Sequence, residues 1–201
     1  MKIFLASSNP GKLREYRELA GDAALELDLL PNFRDIPLFE ESASTFAEIS
    51  AGKALYYSKF SGKTILSDDS GLVVPALGGA PGVFSARYAG PNATDADRVS
   101  KLLRELQDAT GAERRARFVC VTSLAKQGRA LAVVSACAEG LITSQPRGSG
   151  GFGYDPVFNF EASGRTYAEI SSAEKQAYSH RGKAFRKILY VLSPRLAATF
   201  D

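Results

Sequence analysis

The sequence predicts an α/β fold built on a mixed β-sheet. Three observations predict it. Short apolar segments run into loops that open amphipathic helices, as where Lys2 to Ala6 leads into SSNPGK. Two long β-rich segments are joined by a tight Gln127-Gly128 turn, the mark of an antiparallel hairpin. A chain of 201 residues that is 45% hydrophobic is sufficient for one domain with a real core.

Each element has a local reason. Lys2 to Ala6 is a short apolar strand. Asn9 caps the next helix and Pro10 suits its first turn. That helix runs to about Ala20, with Leu13, Tyr16 and Leu19 or Ala20 on one face and Gly21 closing it. Leu25 to Leu30 is a second strand. Thr45 and Glu48 have the spacing of a capping box, opening a helix to about Phe60. Thr64 to Leu66 and Leu72 to Val74 read as two buried strands flanking SDDSG. ALGGAPGVFSARYAGPNAT is a Gly/Pro-rich loop of the kind that lines a site. Thr94 to Leu106 is helical, with Val99, Leu102, Leu103 and Leu106 inward. Arg115 to Ala125 and Arg129 to Glu139 form the hairpin. SQPRGSGGFGYDP is a second glycine-rich loop, after which Val157-Phe158 begins a short strand. Ala173 to about Ser179 is helical. Gly182 to Leu192 is a basic amphipathic helix with Phe185, Ile188, Leu189 and Leu192 inside.

Composition excludes several function classes. The 25 basic and 22 acidic residues leave a net charge of +3, too balanced for a nucleic-acid binder driven by phosphate contacts. One small anionic ligand is compatible with it. No stretch approaches the roughly 20 apolar residues of a membrane span, and the first residues do not read as a signal peptide. Cys120 and Cys137 lack C-x-x-C spacing and read as reduced core filler in a cytoplasmic protein. No repeat, low-complexity tract or linker is visible.

Four places carry candidate chemistry. Asp68 and Asp69 are adjacent, and paired carboxylates repel and resist desolvation. They fit either an Asx-type turn with Gly71 at positive φ, or a site for a hard divalent cation such as Mg²⁺. SSNPGK puts backbone N–H groups and Lys12 at a helix N-terminus, as a plain cap or a phosphate site. The spacing is not that of a Walker loop. Glu40 and Glu41 are a solvated acidic loop or the source of a further carboxylate, and Lys53 is a solvent-facing lysine or a phosphate binder. GGFGYDP places Phe152 to stack on a base and Asp155 to accept from a base N–H, with glycines permitting close backbone approach. In SHRGK, Ser179, His180 and Arg181 gather hydrogen-bond donors at a helix start. Donors aimed at a base select a carbonyl over an amino group.

Taken in order, SSNPGK, FEESASTF, SDDSGL, GGAPGVFSARYAG, GSGGFGYDPVF and EKQAYSHRGKA resemble the inosine triphosphate pyrophosphatase family over nearly the whole chain. The resemblance implies a long twisted mixed sheet flanked by helices, in a single domain of two lobes with a central active-site cleft. It implies Mg²⁺-dependent hydrolysis of noncanonical purine triphosphates (ITP, dITP, XTP) to monophosphate and pyrophosphate by a homodimer. By motif, Ser7, Asn9 and Lys12 fall on the triphosphate and Lys53 on a phosphate. Glu41 and Asp69 fall on the metal, with Asp69 as general base. Ser70, Phe152, Gly153, Tyr154, Asp155 and Lys175 fall on the substrate, and His180 with Arg181 on the 6-oxo group of the base. Two positions depart from the family pattern: Ser8 replaces a glycine, and Ile49 an asparagine. Two rivals remain at this stage. One is a related pyrophosphatase acting on modified pyrimidine or bulky nucleotides. The other is a non-catalytic nucleotide-binding protein.

Overall fold

The computed structural model describes residues 2–21, 25–160 and 163–192. Seven strands form one mixed sheet in the order β2-β1-β3-β4-β5-β6-β7. In chain order the elements are β1 (Lys2–Leu5), α1 (Pro10–Ala20), β2 (Glu26–Leu29), α2 (Phe46–Tyr57), β3 (Thr64–Val73), α3 (Asp95–Glu105), β4 (Arg115–Lys126), β5 (Arg129–Ile142), β6 (Phe158–Phe160), β7 (Arg165–Thr166), α4 (Ser172–Tyr178) and α5 (His180–Leu192). β1 runs parallel to β2 and β3, whereas β6 is antiparallel to β5 and β7. The expected α/β class with a mixed sheet is therefore present.

The chain divides into two compact units. Of the described residues, the first holds those within 2–69, 120–136 and 181–192. Its main core joins Ile3, Leu5, Tyr16, Leu66, Phe185 and Leu189, so α1 and α5 bury their apolar faces on β1 and β3. The second unit holds residues 70–119 and 137–180. Its core joins Leu72, Val99, Leu102, Phe118, Phe158 and Tyr167, with Leu103 partly buried beside them.

Local signals account for most element ends. Asn9 Oδ1 accepts the N–H groups of Gly11 at 2.8 Å and Lys12 at 3.2 Å, capping α1. Gln127 and Gly128 both have positive φ, 51° and 75°, the conformation of the tight hairpin turn that joins β4 to β5. Ser8 is not among the residues with positive φ, so replacing glycine there imposes no left-handed strain. Ile49 is fully buried, so this departure fills core instead of offering a polar contact.

Four expectations are corrected. SDDSG is not a turn between two strands, because β3 is continuous from Thr64 to Val73 and carries Asp68, Asp69, Ser70 and Gly71 within it. Gly71 is not at positive φ. At Thr45 the capping box is half made: the hydroxyl accepts from Glu48 N, but the Glu48 carboxylate accepts the Thr45 hydroxyl, not its backbone N–H. Cys120 is buried, but Cys137 is exposed, on the outward side of an alternating strand. The long loop after β3 is also more ordered than its glycines suggest, with 3₁₀ turns at Pro75–Leu77 and Gly82–Arg87.

Candidate active site

The first unit gathers charge around β3. Asp68 is 2% exposed and sits against two cations. Lys12 Nζ lies 3.0 Å from its Oδ1, and Arg181 Nη2 lies 3.3 Å from its Oδ2. Burial opposes ionisation of Asp68, but Lys12 and Arg181 overcome it and hold the carboxyl well below its ordinary range. Arg181 is buried too, and its Nη1 donates to Glu15. Glu15 lies three residues after Lys12 on α1, so it shares that helix face.

Asp69, one residue on, has the opposite environment. Burial drives its carboxyl up to about 6, although Lys53 and Lys12 pull it down. Lys53 Nζ stands 2.8 Å from Glu41 Oε1 and 3.6 Å from Asp69 Oδ1. Asp69 Oδ2 is buried and accepts no hydrogen bond. A buried carboxylate oxygen without a donor, with Glu41 held to the same ammonium, is a donor set suited to a hard cation. Among the described residues, no three His, Cys, Asp or Glu side chains converge. Ser7 Oγ accepts from Asn9 N at 3.2 Å, so it orders the loop before α1.

The second unit gathers aromatic and polar groups around GGFGYDP. Asp155 is 2% exposed, and its Oδ2 accepts from Phe152 N at 2.8 Å and Lys175 Nζ at 2.5 Å. Lys175 Nζ also lies 5.0 Å from the centre of the Phe152 ring and 5.6 Å from that of Tyr167. Gly151 has φ +72°, and a Cβ there would stand 2.0 Å from Asp155 Oδ2. This glycine therefore admits the Asp155 carboxylate rather than a ligand. Tyr154 is buried and its hydroxyl donates to Ser85 O at 2.9 Å. Gly153, at φ +64°, donates its N–H to Asp95 Oδ2 at 2.7 Å. Ser70, at the second unit's end of β3, is half-buried.

Ser179, His180 and Arg181 have separate partners. Ser179 N donates to Lys175 O and closes α4. His180 is buried and stacks on Phe118, with ring centres 4.6 Å apart and planes 10° apart. Arg181 belongs to the Asp68 network of the first unit. Sequence reasoning missed Glu15, Asp95, Ser85 and Tyr167. The first had a usable signal, the three-residue step from Lys12 on α1; the others are joined to the site by contacts distant in sequence.

The sequence pattern of the Ham1 family matches residues 3–191. A dITP/XTP pyrophosphatase of Geobacillus kaustophilus is 47% identical over 187 residues, covering 93% of this chain and 92% of that protein. One from Streptococcus agalactiae is 46% identical over 190 residues; the match covers 94% of this chain but 59% of that longer protein. The solved structure of a HAM1 protein from Coxiella burnetii aligns with TM-score 0.83 at 43% identity, covering 96% of this chain and 98% of that one.

Proposed function

Because this chain belongs to the Ham1 family, we propose that it hydrolyses noncanonical purine nucleoside triphosphates, dITP, XTP and ITP, to the monophosphate and pyrophosphate. The observation that carries the mechanism is Asp69: a buried carboxyl held near 6, with one oxygen that accepts no hydrogen bond, beside Lys53 and Glu41. Such a carboxylate can take a proton at neutral pH.

The residue roles follow from that environment. The Asp69 carboxylate orients a water and takes its proton as the water oxygen bonds to the α-phosphorus. The bond between that phosphorus and the oxygen bridging to the β-phosphorus breaks, and pyrophosphate leaves with the electron pair. Lys12, fixed by Asp68, and Lys53, fixed by Glu41, meet the spread negative charge of the triphosphate. Glu41 and Asp69 would hold Mg²⁺, which when bound offsets charge on the phosphate oxygens. Ser7, Asn9 and Ser70 line the polyphosphate path. Asn9 keeps only its amide nitrogen for this, since its oxygen caps α1.

Base selection is assigned to Phe152, Asp155, Lys175, His180 and Arg181. Phe152 stacks on the purine, ordered by Asp155 and Lys175. Gly153 and Tyr154 shape the same loop. His180, oriented by Phe118, and Arg181, oriented by Asp68 and Glu15, present donors to a 6-oxo group. Adenine carries a 6-amino donor there, which would leave buried donors facing a donor. No helix among the described residues is long and apolar enough to cross a membrane. The reading extends to a cytoplasmic homodimer that clears altered purines from the nucleotide pool.

The test is pyrophosphate release from a panel of nucleoside triphosphates, with and without Mg²⁺. Turnover of dITP and XTP should exceed that of ATP by at least about 100-fold, and chelation should abolish it. Equal turnover of ATP and dITP would defeat the assignment of base recognition.

A further inference from the structure

We propose that Asp95, at the start of α3, is a positioning residue that sets the base-stacking loop through the backbone of Gly153. The inference rests on the stacking role given above to Phe152. Asp95 Oδ2 accepts the Gly153 N–H at 2.7 Å, across 58 residues of sequence. Its other oxygen takes the Arg98 guanidinium. Arg98 Nη1 in turn donates to Ala86 O at 3.0 Å and Ala93 O at 2.6 Å. One carboxylate therefore ties the GGFGYDP loop to the GGAPGVFSARYAG loop.

The position of this bond is what gives it leverage. Phe152 N is held at 2.8 Å by Asp155 and the Tyr154 hydroxyl is anchored to Ser85 O at 2.9 Å. Gly153 lies between them at φ +64°, and a Cβ there would meet nothing within 4 Å. No side chain of its own holds that residue, and the hydrogen bond to Asp95 fixes the peptide that aims the Phe152 ring. Loss of the bond leaves chemistry at Asp69 intact but costs binding energy to re-order the loop, a change in KM rather than kcat.

Four versions of the full-length enzyme separate positioning from mere stability: wild type, Asp95→Ala, Asp95→Asn and Asp97→Ala. Asp97 completes the capping box of the same helix with Thr94, whereas the Gly153 N–H is accepted by Asp95. Asp95→Ala should raise KM for dITP about tenfold, the size of one lost hydrogen bond to a charged group, with kcat within about twofold. It should weaken binding of the product dIMP about equally and speed amide exchange in residues 148–155. Asp95→Asn keeps an acceptor for Gly153 and should restore most of the KM. Asp97→Ala should leave KM unchanged. An unchanged KM in Asp95→Ala, or the same rise in Asp97→Ala, overturns the proposal. So does unaltered loop exchange in Asp95→Ala. Failure of the enzymatic reading itself is a different result, a wild-type protein that releases no pyrophosphate from dITP or XTP.

Discussion

Asp69→Asn should lower kcat for dITP by about 10²–10⁴-fold, the usual contribution of a positioned general base, while nucleotide binding survives. The same substitution should raise the melting temperature of the nucleotide-free protein. Folded Asp69 has its carboxyl near 6, above the ordinary 3.8. Between those pH values the folded chain keeps a proton that the unfolded chain has lost. Stability therefore falls as pH rises from about 3.8 to about 6 and stays lower above it. Asparagine removes the buried charge. Part of the gain is lost because Lys53 gives up a partner at 3.6 Å, leaving about 1–2 kcal/mol at pH 8. For a chain of this size that is a rise of roughly 2–8 °C. In wild type, protonation of Asp69 at low pH should silence the base, so kcat/KM should fall on the acid side. Calorimetry and initial rates on one preparation check all three effects. A variant that keeps full turnover removes Asp69 from the mechanism.

Asp68→Asn should do the reverse to stability. Asp68 is buried against Lys12 and Arg181, and its carboxyl is held below the ordinary range. Its contribution is present above about 3.8 and is lost as pH falls toward the lower folded value. A neutral amide leaves half-buried Lys12 without its paired carboxylate and buried Arg181 with Glu15 alone. Breaking such a network typically costs about 3–5 kcal/mol, or roughly 6–20 °C in melting temperature for a chain this long. The two neighbouring aspartates thus separate by the sign of their effect. Equal destabilisation by both substitutions would mean that Asp69 is simply another member of the ion-pair network.

The same pair shows what was legible in the sequence. The α/β class, the α1 cap at Asn9 and the Gln127-Gly128 hairpin were readable because their causes are local. SDDSG reads as either a turn or a cation site between two strands, because two carboxylates inside one continuous strand are intelligible only with their partners. Those partners, Lys12, Lys53 and Arg181, come from α1, α2 and α5, far away in sequence. Cys137 was misplaced because hydrophobic neighbours concealed the alternation of β5. Motif resemblance grouped the candidate residues, yet Asp155 and Gly151 show a reason it did not contain. The glycine makes room for the carboxylate, and the carboxylate holds the loop.

The central claim is that water, activated at Asp69, attacks the α-phosphorus. Hydrolysis of dITP in ¹⁸O-enriched water tests it most directly, with the products resolved by mass spectrometry. The label should appear in dIMP, and the pyrophosphate should carry none. Label in the pyrophosphate, or release of orthophosphate in its place, would contradict the account.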